Sequence, residues 1–262
     1  MFEALVLGLI QGLTEFIPIS SSGHLVIAQT FMSGASEHLF LEWINIGTVL
    51  ALIIFFRRRI LEILERVFVR RDYHFAGTIL LAAIPAGLLG LLLADVIEQT
   101  PFFGSVWTVV ATLAIFGALM VVLERLPRLP DIPKLDQLPM KRALSIGLAQ
   151  ALALIPGVSR SGSTIIAGRL NGLSRAAAAE FSFLVSIPIM LGVIAKLFLK
   201  SADRAYLVDN FAALLVGNLV AFAAGLFAVG FLMRFLEKRS LAIFGWYRIG
   251  LALVIAVVLL VK

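Results

Sequence analysis

The sequence predicts an all-α integral membrane protein, with six full transmembrane helices plus two re-entrant helical hairpins in an inverted repeat. Three observations predict it. Of the 262 residues, 61% are hydrophobic and 15% charged, against roughly 25% charged in a soluble domain, and the mean hydropathy is +1.03. Six apolar runs approach the length of about 20 residues that crosses a bilayer as a helix. Two further apolar regions are interrupted by Pro, Gly and Ser, and these two resemble each other.

In chain order, the first broken region spans about 3–32 and is interrupted by IPISSSG. Neither half is long enough to cross alone, and irregular backbone at membrane depth needs surrounding protein or a cavity. This predicts a re-entrant hairpin. Full spans follow at about 39–56, 75–97 and 104–123. The proline-rich LPRLPDIPKLDQLP (126–139) reads as a linker. The second broken region, about 143–170, is interrupted by IPGVSRSG and predicts the second hairpin. Spans at about 176–199, 207–233 and 241–261 complete the chain.

Loop charges orient these elements. Loop 57–74 holds six arginines, loop 124–142 holds Arg125, Arg128, Lys134, Lys141 and Arg142, and loop 234–240 holds Arg234, Lys238 and Arg239. The positive-inside rule places these three loops in the cytoplasm. That requires the second hairpin to enter and leave on the cytoplasmic face. It also puts both termini, and the entry of the first hairpin, outside.

The hairpins align at a constant offset of 139 (Gly8 to Gly147, Gln11 to Gln150, Ser20 to Ser159, Ser22 to Ser161, Gly23 to Gly162). Three spans separate them, and an odd number inverts the second copy. The reading is one membrane domain over 1–262, with repeat one at about 1–125 and repeat two at about 140–262. Broken helices at matching places of inverted halves point to a binding site where they meet.

Composition excludes several classes. There is no cysteine, hence no disulfide framework or thiolate chemistry. No Walker loop, HExxH or dinucleotide fingerprint occurs. The net charge of +6 sets topology rather than marking a nucleic-acid partner. The N-terminus lacks the basic segment of a cleaved signal peptide.

The two breaks carry the chemistry. Ser159, Ser161, Gly162 and Thr164 surround Arg160 at a helix start. Free N–H groups and the positive dipole end there favour an anion, and the guanidinium fork suits phosphate oxygens. Structural pairing of Arg160 with Glu15, Glu42 or Glu180 is the alternative. Ser20, Ser22 and Gly23 form a second capped helix start, with helix capping as their plainer role. Ser21 and His24, three apart, share a helical face, and a serine beside an imidazole is an activated nucleophile. Glu15 is a base, an orienting group for His24, or a ligand to a divalent cation. Gln11 lies one turn before it. Asn45, Asn218 and Gln150 are candidates for inter-helix hydrogen bonds. Residues alone therefore predict a membrane site for a lipid phosphate or pyrophosphate, with hydrolysis favoured by the Ser–His–Glu set.

QGLTEFIPISSSGH (11–24) and PGVSRSG (156–162) resemble the two signature motifs of the bacterial undecaprenyl-pyrophosphate phosphatase family, the bacitracin-resistance type. EFSFLVSIP (180–188) extends the resemblance, which covers nearly the whole chain. It implies removal of the terminal phosphate of undecaprenyl pyrophosphate, which regenerates the carrier for cell-wall synthesis and confers bacitracin resistance. It also implies a bacterial plasma-membrane location, an active site toward the outer face, a divalent cation (Mg²⁺ or Ca²⁺) and often a homodimer. Glu15 matches the motif acid, Ser21 the proposed nucleophile, and His24 a residue proposed as base or nucleophile. Ser159 and Arg160 match the serine and the pyrophosphate-binding arginine of the second motif. Some family members carry Glu where this chain has Gln11, and an amide coordinates through oxygen without adding charge. The rival class is a flippase for a polyprenyl phosphate, since inverted repeats with broken helices are also a transporter architecture.

Overall fold

A computed structural model of the chain describes residues 1–31, 38–126, 132 and 134–261. Linker residues 127–131 and 133, including Arg128, lie outside the described residues. The described chain is helical, without strands. The helices are α1 (Phe2–Phe16), α2 (Ser21–Phe31), α3 (His38–Phe55), α4 (Arg57–Phe68), α5 (His74–Leu92), α6 (Ala94–Gln99) and α7 (Pro101–Gly104). They continue with α8 (Val106–Leu123), α9 (Met140–Ala151), α10 (Arg160–Leu170), α11 (Arg175–Leu199), α12 (Ser201–Asp209), α13 (Phe211–Lys238) and α14 (Ala242–Val261).

Helices α5, α8, α11, α13 and α14 are each long and apolar enough to cross a membrane, and α3 with α4 forms a sixth candidate bent by 70°. The bend separates two kinds of sequence. α3 is apolar throughout, whereas α4 (RRRILEILERVF) is amphipathic and has no buried residue. The spans match the six apolar runs with shifted ends. The run at 75–97 ends at Leu92 and continues as the short α6. The run at 207–233 begins after α12 and extends to Lys238, so Arg234 and Lys238 are helical.

Both broken regions are helix–break–helix pairs, α1/α2 and α9/α10. The ends of the second pair meet: Arg142 at the start of α9 donates to the carbonyl of Asn171 after α10 at 3.0 Å. That is a re-entrant hairpin by geometry. The basic loops gather at this same end of the bundle. Arg175 pairs with Glu124, the Leu241 amide also reaches Glu124, and Arg59 and Arg66 converge on Asp136. Glu180 pairs with Arg59 at 2.9 Å rather than with Arg160. Glu124 lies just past α8: burial pushes its pKa up, and Arg175 more than offsets this, leaving it below the usual carboxylate value. The first hairpin belongs to the other end, where Ala4, Leu7 and Leu25 pack with Phe40, Trp43, Leu197 and Leu214.

The helices pair by exchange. α1 packs along α13, and α9 packs along α5. Glycines make both approaches close: a Cβ at Gly8 would run into the backbone of Gly217, and one at Gly147 into that of Ala82. α8 and α14 pair through Gly117 and Gly245 in the same way. These contacts bury each hairpin's first helix against the opposite half and bring the two breaks together in the middle.

Candidate active site

Each break turns through a serine in the left-handed region, Ser20 at φ 76 and Ser159 at φ 75. Non-glycine residues are uncommon there. Both are buried and both cap the helix that follows. The Ser159 hydroxyl accepts from the Gly162 amide at 3.1 Å, and the Ser20 hydroxyl from the Gly23 amide at 3.3 Å. Ser22 and Ser161 stand beside them, with hydroxyl oxygens 3.3 and 3.2 Å from those of Ser20 and Ser159. Of the two serines expected to cap, Ser20 does so, Ser22 instead faces Ser20 and the Gly157 amide, and Ser159 caps the second helix. Gly23 and Gly162 are packed tightly: a Cβ at Gly162 would lie 3.0 Å from Met120. Gly157 has φ +88, and a Cβ there would collide with Thr112.

The breaks place the first residue of α2, Ser21, and the first residue of α10, Arg160, on one carboxylate. Ser21 donates to Glu15 Oε2 at 2.6 Å. Arg160 Nη2 donates to Glu15 Oε1 at 2.5 Å. Gln11 donates to Glu15 Oε2 at 3.1 Å and also to Asn45 on α3. The Gly157 amide approaches the Ser22 hydroxyl at 3.5 Å. Glu15 and Arg160 come from positions 145 apart and are largely buried, their side chains 12% and 19% exposed.

The other candidates are placed differently. His24 is not bonded to Ser21. Its Nδ1 faces the Ser20 carbonyl at 2.7 Å, which can only accept, so Nδ1 carries the proton. Its Nε2 is hydrogen-bonded to the Tyr247 hydroxyl, 2.8 Å away. Thr164 turns into the core, donating to the Arg160 carbonyl at 2.8 Å and contacting the Ser182 hydroxyl at 2.5 Å. It supports α10 rather than facing the break. Of the inter-helix candidates, Asn218 accepts from the Gly47 amide at 2.7 Å and Asn45 meets Gln11. Gln150 is buried with neither amide atom partnered among the described residues.

Two residues escaped the sequence reading. Arg248 on α14 is 0% exposed. It donates to the carbonyls of Gly157 (2.6 Å), Val158 (3.0 Å), Pro18 (3.3 Å) and Thr112 (3.4 Å), clipping both breaks to α8. Its Nε has no partner among the described residues, and no carboxylate pairs with it there. Its neighbour Tyr247 holds His24. The available signal was a single arginine inside the last apolar run, since an ionisable residue in a span needs a reason. Among the described contacts, one carboxylate, Glu15, meets one guanidinium, with a second guanidinium and two helix N-termini beside it, an arrangement that suits an anion.

The chain is 39% identical over 263 residues to undecaprenyl-diphosphatase 3 of Acinetobacter baylyi, covering 99% of this chain and 98% of that protein. It is 39% identical over 267 residues to the undecaprenyl-diphosphatase of Clavibacter michiganensis (98% and 96%). Against undecaprenyl-diphosphatase 1 of Clostridioides difficile it is 38% identical over 263 residues (97% and 94%). The family described as bacitracin resistance protein BacA matches residues 4–254, and the chain belongs to that family.

Proposed function

We propose that this multi-pass membrane protein hydrolyses undecaprenyl pyrophosphate to undecaprenyl phosphate and inorganic phosphate, recycling the lipid carrier for cell-wall synthesis. The observation that carries the mechanism is the bridge Ser21–Glu15–Arg160 at the meeting of two capped helix starts. Arg160 and the amides of α2 and α10 receive the pyrophosphate. Arg160 exchanges part of its contact with Glu15 for phosphate oxygens. Ser21 Oγ attacks the terminal phosphorus while Glu15, already bonded to that hydroxyl, takes its proton. The bond to the bridging oxygen breaks and the polyprenyl monophosphate leaves. Water then attacks the phosphoserine and releases phosphate. Catalysis here is mostly positioning and charge neutralisation. Geometry favours Glu15 over His24 as base, because His24 is engaged with Ser20 and Tyr247; it stands as the alternative nucleophile or base.

The oxygen donors fit a hard divalent cation, Mg²⁺ or Ca²⁺, that arrives with phosphate. Glu15, Gln11 and Asn45 would hold it through oxygen, and Mg²⁺ is commonly bound by one or two carboxylates plus substrate phosphates. Bound there, it would neutralise charge on the phosphate oxygens. The division into repeats at about 1–125 and 140–262 is part of the same reading, supported by the exchanged helix pairs. So is an active site reached from the outer face, supported by the first hairpin's place at the end away from the basic loops. The chain has no cysteine, so Ser22→Cys tests this directly. Labelling in intact cells by a membrane-impermeant thiol reagent is expected, and labelling only after lysis would reverse the orientation.

The deciding assay is phosphate release from purified protein in detergent with undecaprenyl or farnesyl pyrophosphate, with and without Mg²⁺ or Ca²⁺. A flippase would release none. Ser21→Ala is expected to lose at least the roughly 10²–10⁴-fold attached to positioned proton transfer while still binding lipid pyrophosphate. Full turnover in that variant would sink the phosphoserine step.

A further inference from the structure

The basic end of the bundle carries a second feature, away from the paired breaks. A groove of about 630 Å³ runs along the last three turns of α13 against the end of α3. Its walls include Phe55, Phe227 and Phe231, and its rim carries Arg234, Lys238 and Arg239. The floor is Gly230, where a Cβ would lie 3.5 Å from the Phe55 ring, so the absence of a side chain keeps the groove open. Arg160 in the breaks and Arg59 and Arg66 in the α4–linker network are bonded, but none of these three cations has a hydrogen-bond or ion-pair partner among the described residues. Glu237 is exposed at the same end and is not part of the lining.

Apolar surface alone means nothing in a membrane span, where lipid covers it. The arrangement here is more specific. From Phe227 to Lys238 is about 16 Å along a helix axis, about half of a hydrocarbon core of roughly 30 Å. The rings therefore occupy the depth of one leaflet, and the three cations sit where its headgroups lie. We infer that this groove is a binding site for one anionic phospholipid of that leaflet, with an acyl chain against the phenylalanines and the phosphodiester on Arg234, Lys238 and Arg239. The site is independent of the hydrolytic reading, because it shares no residue with the paired breaks.

The test is lipid retention by native mass spectrometry of protein taken from mixed phosphatidylglycerol and phosphatidylcholine bilayers. Each cation near a membrane surface is worth about five-fold in binding, so three give about a hundred-fold preference for phosphatidylglycerol. Arg234→Gln/Lys238→Gln/Arg239→Gln is expected to abolish that preference, and Gly230→Leu to remove the retained lipid by filling the groove. Neutralising three cations elsewhere at this end that have no partner among the described residues, Arg58→Gln/Arg71→Gln/Arg125→Gln, is expected to leave retention unchanged. Equal loss in that control would reduce the effect to general surface charge and overturn the site. Retention surviving Gly230→Leu, or displacement of the lipid by millimolar inorganic phosphate, would overturn it as well.

Discussion

The two breaks are alike in backbone and unlike in chemistry. Ser20 and Ser159 share the same left-handed turn, and their caps close on Gly23 and Gly162 at nearly the same distances. Around that common frame the residues diverge. The first helical position is Ser21 in one break and Arg160 in the other. Where the first hairpin has Glu15, the second has Leu154, and where Gln11 bonds Glu15, Gln150 has no partner among the described residues. The lesson is a division of labour. The matched backbone supplies two capped helix starts, and under the proposed mechanism the residues at matched positions would assign nucleophile and base to one and the anion clamp to the other. The site needs both, because neither hairpin alone holds an acid, a hydroxyl and a guanidinium.

The sharpest way to break this comparison is at the matched first positions. Arg160→Lys is expected to lower kcat/KM by roughly 10²–10³-fold, the range for removing one preorganised charge-stabilising donor, since a point charge does not replace the fork. Near-normal kinetics would mean that the second break contributes its backbone only. Next comes the clip. Arg248→Gln leaves carbonyls of both breaks short of donors, at roughly 1–3 kcal/mol for each buried group left unpaired. A lower Tm in detergent and a fall in kcat of about tenfold or more should appear together. A variant that keeps its Tm but loses KM for pyrophosphate would instead make Arg248 a direct anion ligand.

Tyr247→Phe removes one hydrogen bond to His24, worth about 1 kcal/mol. With Glu15 as the base, activity should fall less than about tenfold and the pH–rate profile should keep its shape. A displaced acidic limb would return the base role to His24. The smallest effects belong to the shared frame. Ser20→Gly and Ser159→Gly each lose a cap, which glycine replaces at a cost of a few tenths of a kcal/mol, and each relieves a left-handed serine. Their effects on Tm should be small and equal; a difference above about 1 kcal/mol would show that the two turns are not equivalent.

Away from the breaks, the Glu124–Arg175 pair supplies a pH test. The folded pKa of Glu124 lies below its ordinary 4.5, so its contribution to stability is present above about pH 4.5 and lost as pH falls through the lower folded value. Glu124→Gln should flatten that acid limb of a Tm-versus-pH curve.

Much of this protein is local and was legible from the sequence alone. Hydropathy marks the spans because each must satisfy its own backbone in lipid. The two Pro/Gly/Ser breaks and their constant offset predict matched caps, since capping depends on a few neighbouring residues. Charge asymmetry among the loops predicts which ends gather, and α4, Glu124 and Asp136 meet there. Glu15, Ser21 and Arg160 stand out as polar residues in apolar surroundings. What only the tertiary structure decided are the partners. Ser21 meets Glu15 rather than His24, Arg160 meets Glu15 rather than Glu180, and Thr164 turns to Ser182. Arg248 takes its partners from carbonyl oxygens, which every residue possesses and no sequence pattern announces. For the partners far apart in the chain, Arg160 with Glu15 and Arg248 with Pro18 and Thr112, the physical reason is shared. Which side chains touch across a hundred or more positions depends on how closely helices approach, and here glycines such as Gly8, Gly117 and Gly147 decide that against neighbours far away in the chain.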